Sequence, residues 1–157
     1  MKRNIKNEII KLSDKKNAKT IYNVVKSFRL KMEADKLVVE GRPDKALEKY
    51  NLSIALYKNV PTYIGRAIAY RELGEYELAL SDMNILERFL QSKFMYEDYR
   101  IYFERGLVHE RLGDMKSAFE DMKKFVSICQ EKKIQFAARS KEETIKYIDG
   151  LLSNFRP

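Results

Sequence analysis

Tryptophan is absent from this 157-residue chain, and cysteine and histidine occur once each, as Cys129 and His109. A single cysteine can form neither an internal disulfide nor a multi-thiolate metal centre, which favours a reduced, intracellular protein. A single histidine excludes a multi-histidine zinc site. The stretch "HERLG" from His109 to Gly113 has His-Glu but lacks the second histidine of a zinc-protease helix. Only six glycines and three prolines are present, which argues against long loops and disordered linkers. No apolar run approaches the roughly 20 residues that cross a bilayer. The basic opening "MKRNIKNEIIKLSDKKNAK" is not followed by the apolar core of about 7–15 residues that a secretory signal needs. A glycine-rich phosphate loop is also missing, and a Cys129–His109 nucleophile pair is disfavoured because the two fall on different expected helices. No cofactor or metal is implied, and the chain reads as a non-enzyme.

What is present points to one helical domain. Leu, Ile, Lys, Glu, Ala, Met and Arg are plentiful, all compatible with helix. The net charge of +8 is concentrated at one end: residues 1–31 carry ten basic and two acidic side chains, and the remainder balances. The chain is a neutral body with a basic N-terminal arm, and such arms are solvated or touch acidic partners or nucleic acid.

The body repeats itself. "VEGRPDKALEKY" at 39–50, "LGEYELALSDM" at 73–83 and "LGDMKSAFEDM" at 112–122 superpose on Gly41, Gly74 and Gly113. Five residues after each glycine stands Ala46, Ala79 or Ala118, and four further on a large side chain, Tyr50, Met83 or Met122. Seven residues before each glycine stands a small residue, Ala34, Ala67 or Gly106, and eleven before, a large one, Leu30, Tyr63 or Tyr102. The position four before is Leu37, Tyr70 or His109. Spacings of four, seven and eleven line one face of a helix. Glycine then supplies the left-handed residue that stops it. Each unit is an antiparallel helix pair that cannot bury its apolar face alone, so units must stack.

This pattern resembles the tetratricopeptide repeat, with three units over about residues 27–131: 27–59, 60–93 and 99–131. The glycine spacing is 33 and then 39 residues, so the second interval carries extra residues, assigned to "QSKFMYEDY" at 91–99. Departures are the missing terminal prolines, where Lys58, Gln91 and Gln130 stand, His109 for an aromatic, and Ser53 for a larger apolar residue. The resemblance implies an all-α, right-handed α-α superhelix with N- and C-terminal capping helices. Residues 1–26 form the basic arm and 132–157 the C-terminal cap, where Ser140 and Glu143 have capping-box spacing. Eight helices are expected, near 3–12, 16–40, 44–57, 61–73, 76–92, 95–112, 115–131 and 135–153.

Function follows from the resemblance as a protein-binding adaptor or scaffold, cytoplasmic with the nucleus allowed. The implied partner-binding groove is lined by Phe28, Lys31, Asp35, Val38, Ile64, Ile68, Arg71, Arg100, Phe103, Leu107 and Arg111. It would hold a peptide or amphipathic helix, unless residues 3–12 fold over it as a lid. The family's carboxylate clamp for chaperone tails maps to Lys31, Asp35, Gly65, Arg100 and Glu104. Asp35 and Glu104 place negative charge where a tail carboxylate would land, so chaperone C-terminal tails are disfavoured. Two alternatives accompany this reading. One is an RNA-associated basic adaptor, weakened because only Tyr22 and Phe28 interleave the lysines. The other is the repeat portion of a SET- and MYND-type methyltransferase relative without its catalytic domain. Membrane binding is not expected, since the arm has few large apolar anchors.

Overall fold

The computed structural model describes residues 5–91 and 99–131, with Gly150 and Ser153 beyond them. Among the described residues up to 131, six helices run in order: α1 (Ile5–Val39), α2 (Pro43–Leu56), α3 (Val60–Glu72), α4 (Tyr76–Gln91), α5 (Arg100–Arg111) and α6 (Met115–Glu131). The described residues hold no strand. The fold is all-α and built from helix pairs.

Each pair turns in the same way. Gly41, Gly74 and Gly113 have φ of +72°, +78° and +77°. In the first turn Gly41 N–H donates to the Val38 carbonyl at 3.0 Å and Arg42 N–H to Leu37 at 2.9 Å. Gly74 and Glu75 repeat this with Arg71 and Tyr70, and Gly113 and Asp114 with Glu110 and His109. This double bond closes the last carbonyls of a helix and requires a left-handed residue. The following helix is started by local chemistry. Pro43 opens α2, where its missing N–H costs nothing. Asp114 Oδ1 accepts from Ser117 N–H at 3.1 Å ahead of α6, a side-chain cap. The Ser117 side chain first, and its backbone N–H second, hold the Asp114 carboxyl below its ordinary range. At α3, Asn59 Oδ1 accepts from the backbone N–H of Thr62 at 3.0 Å.

One expectation is corrected. The two helices placed at 3–12 and 16–40 form one 35-residue helix, α1. Neither glycine nor proline interrupts 5–39, and without a breaker the ladder continues. Thr20 Oγ1 donates to the Lys16 carbonyl at 2.9 Å within that ladder. A lid made of residues 3–12 needs a reversal before residue 16, and α1 has none. The same helix passes through the expected boundary at residues 26 and 27. The expected last helix at 135–153, with Ser140 and Glu143, lies almost wholly outside the described residues, as does most of the extra segment at 91–99.

The chain divides into two compact units, residues 1–65 and 66–157. In the first, Ala34 and Ala46 are fully buried and let α1 and α2 approach, while Tyr50 fills the space between. Ser53, an anomaly in the sequence pattern, is explained by a buried hydroxyl cluster. Its Oγ lies 2.9 Å from Ser27 Oγ and donates to the Ser27 carbonyl at 2.9 Å, with Thr62 Oγ1 3.3 Å away. Three helices are tied here by satisfied polar groups in place of a larger apolar side chain. In the second unit Ala79, Met83 and Leu86 on α4, Ile101 and Val108 on α5, and Ala118 and Met122 on α6 are buried. Gly106 packs against Met122, whose Cγ would stand 3.2 Å from an added Cβ.

An ion pair recurs at the same place in every repeat, always 16 residues apart. Glu33 pairs with Lys49 at 2.8 Å, Arg66 with Asp82 at 2.6 Å and Arg105 with Asp121 at 2.7 Å. Each joins the first helix of a repeat to the second. The last two are bidentate, with Nε and a second guanidinium nitrogen on the two carboxylate oxygens. The first repeat uses the opposite polarity.

Candidate functional site

The residues expected to face a groove fall on the first helix of each repeat, and their surroundings differ. In the first unit Phe28 is exposed and Val38 half-buried. Lys31 Nζ donates to Asp35 Oδ2 at 2.5 Å, and Asp35 Oδ1 accepts from the Tyr50 hydroxyl at 2.8 Å. Burial first, and the Asp35 carboxylate second, push the Tyr50 phenol upward from its ordinary value. Ile64 is only 3% exposed. It packs in the core and offers almost no surface, so its assignment to the groove lining is corrected. Gly65 is buried against Tyr50, and a Cβ added there would lie 2.7 Å from the ring and its hydroxyl.

In the second unit Arg100 and Arg111 are exposed, and Ile68, Arg71, Phe103 and Leu107 are half-buried. Phe103 stacks on Phe125 of α6 with ring centroids 5.1 Å apart, and Leu107 joins the same cluster. Both therefore serve packing as well as surface. Arg71 Nε lies 3.3 Å from Glu104 Oε2. The N–H is not aimed at the oxygen, and neither atom makes a hydrogen bond. Burial raises the Glu104 carboxyl from its ordinary value, against the pull of the Arg71 charge. Arg71 also reaches Glu72 Oε1 at 3.2 Å.

Three of the clamp positions, Lys31, Asp35 and Glu104, are thus matched by charges within their own units. Lys31 is matched by Asp35, and Glu104 by Arg71. Neither pairing follows from a repeat alignment. Lys31 and Asp35 stand four residues apart on one helix, a spacing that permits contact. Arg71 on α3 and Glu104 on α5 are remote in sequence, and only the fold brings them together.

The described residues hold no group of three or more His, Cys, Asp or Glu side chains placed to bind a metal ion. Cys129 is buried and free, and burial pushes its thiol up to about 11. The His109 ring lies 3.6 Å from Asp114 and 3.8 Å from Asp121. No helix among the described residues is long and apolar enough to cross a membrane.

Residues 99–132 match the tetratricopeptide repeat family profile. This stretch spans the third repeat and contains α5, the turn at Gly113 and α6. The fold is the tetratricopeptide-repeat fold. The tetratricopeptide-repeat domain of Arabidopsis OM64 superposes with a TM-score of 0.66 at 21% identity, over 85% of this chain and 97% of that one. The first tetratricopeptide-repeat domain of Spaghetti (RPAP3), bound to the HSP90 peptide SRMEEVD, gives 0.63 at 20% identity, over 83% and 94%. The TPR2AB domain of yeast Sti1 in its HSP90 complex gives 0.61 at 27% identity, over 82% of this chain and 45% of that one. No curated protein matches the sequence.

Proposed function

We propose that this tetratricopeptide-repeat chain is a protein-interaction adaptor that holds a peptide or helix of another protein without a carboxylate clamp. Two of the similar structures hold HSP90 peptides or complexes, so a protein ligand is in keeping with the fold. The internal pairing of Lys31 with Asp35, at 2.5 Å, carries the second half of the reading. A tail carboxylate would have to separate that pair and approach Asp35, and like charges at contact repel. In the second unit Glu104 adds a further carboxylate, with Arg71 already placed against it. In the second unit recognition falls to the half-buried Ile68 and the exposed Arg111.

Two experiments test this. A fluorescent SRMEEVD peptide titrated with the chain should show no saturable binding in the low micromolar range; a low-micromolar isotherm refutes the absence of a clamp. Affinity capture should compare the native chain with an Ile68→Glu, Arg111→Glu variant, with and without nuclease. Protein prey lost in a variant that keeps its melting temperature supports the adaptor. Prey released by nuclease alone favours RNA and counts against it.

A further inference from the structure

The first repeat leaves open a face that the later repeats close. The repeat register aligns Arg29, Met32 and Lys36 of α1 with Thr62, Gly65 and Ala69 of α3, and with Ile101, Glu104 and Val108 of α5. In α3 this face meets the preceding helix: Thr62 Oγ1 is 3.3 Å from Ser53 Oγ, and Gly65 abuts Tyr50. Ile101 and Val108 are likewise buried on α5, which packs on α4. On α1 no described residue covers the corresponding side. Met32 is 69% exposed, Val25 56% and Ile21 64%, with Phe28 between them at 42%. These four follow one another at intervals of four, three and four residues, the spacing of a coiled-coil seam. A shallow depression lies along it, lined by Val24, Val25, Phe28 and Met32 and bounded by Arg29 and Lys36.

Charge selects among possible occupants. Lys26, Arg29 and Lys36 flank the stripe on one side, and the acidic residue among them, Glu33, is taken by Lys49 at 2.8 Å. Residues 14–36 carry seven basic and three acidic side chains. A second copy of the chain would bring the same cationic excess against this one. We infer that the exposed α1 face is a docking site for an acidic amphipathic helix of a partner protein. That helix lies where the second helix of a preceding repeat would stack. The seam from Ile21 to Met32 spans twelve residues, about 16 Å, and receives about three turns of helix. This site is distinct from the surface around Ile68 and Arg111, and it does not depend on the function proposed above.

The probe is a synthetic three-heptad helix with leucine at the seam and glutamate on both flanks, together with a copy carrying lysine in place of glutamate. The full chain should bind the acidic peptide at least about tenfold more tightly than the lysine copy, and less tightly as salt rises. Amide shifts on binding should cluster at residues 21–36. Val25→Glu with Met32→Glu should abolish binding, and both positions are exposed enough to leave the fold intact. Arg29→Glu with Lys36→Glu should reverse the preference between the peptides. The Ile68→Glu, Arg111→Glu variant should bind as the native chain does, which separates this site from the adaptor surface. Equal affinity for the two peptides, or no saturable binding, overturns the inference. So does concentration-dependent dimerisation abolished by Val25→Glu and Met32→Glu, which would make the occupant a second copy. Binding to phosphatidylserine vesicles through the same residues, with no acidic-peptide preference, overturns it in favour of a lipid surface.

Discussion

The ion pair that recurs in all three repeats allows one interaction to be measured at three depths of burial. Asp121 is 8% exposed and its partner Arg105 12%, whereas Glu33 and Lys49 are 47% and 39% exposed. Removing one partner of a buried pair strands the other charge and costs about 3–5 kcal/mol. Asp121→Asn keeps the shape and one acceptor oxygen, and Glu87 still meets Arg105 at 2.8 Å. The expected loss is therefore near the lower bound, about 3 kcal/mol, or about 6–12 °C in melting temperature for a chain of this size. Asp82→Asn should cost a similar amount, since Asp82 is 4% exposed and bidentate to Arg66. Glu33→Gln should leave the melting temperature unchanged, because solvent already screens that pair. Urea and thermal melts of the three variants decide the matter. A loss for Glu33→Gln equal to that for Asp121→Asn would refute burial as the controlling variable. The first repeat also shows that the polarity can be inverted. Arg66→Glu with Asp82→Lys should therefore recover much of what either substitution alone removes.

Two further predictions concern buried groups. Gly65→Ala should destabilise the chain, although alanine favours helix by about 1 kcal/mol. The added Cβ meets the Tyr50 ring at 2.7 Å, that ring is held by Asp35, and overpacking costs about 1–3 kcal/mol. With Tyr50→Leu in the background the same substitution should become neutral or stabilising, as read from urea midpoints; a loss that persists there sinks the steric account. Glu104 has a native pKa raised above its ordinary 4.5, so the folded chain holds that proton longer than the unfolded one. Relative to Glu104→Gln, the native chain should lose stability as pH rises from 4.5 through the folded value, and stability curves that stay parallel would exclude this.

The periodicity of small and large residues around Gly41, Gly74 and Gly113 was legible without a structure, because helical spacing and left-handed turns are local properties of the chain. So were the starts of α2 and α6, where Pro43 and Asp114 act within a few residues of themselves. The break expected near Ser13 was not realised. No glycine or proline lies in 5–39, so nothing there stops the helix. Ile64 satisfied the spacing for a groove position but is buried, since spacing assigns a helix face and not what covers it.

The sequence by itself determined that the chain is a set of helix pairs, where each pair turns, and which alanines and glycines let the helices touch. These follow from backbone geometry and side-chain size over a few residues. Tertiary structure alone decided which charges are spent internally. Asp35 is held by Tyr50 of the next helix, Glu104 stands against Arg71, and Ser53 serves a hydroxyl cluster instead of an apolar core. It also decided that α1 carries an uncovered apolar seam beside a cationic flank. These pairings depend on distances between different helices, and such distances are set only when the helices pack.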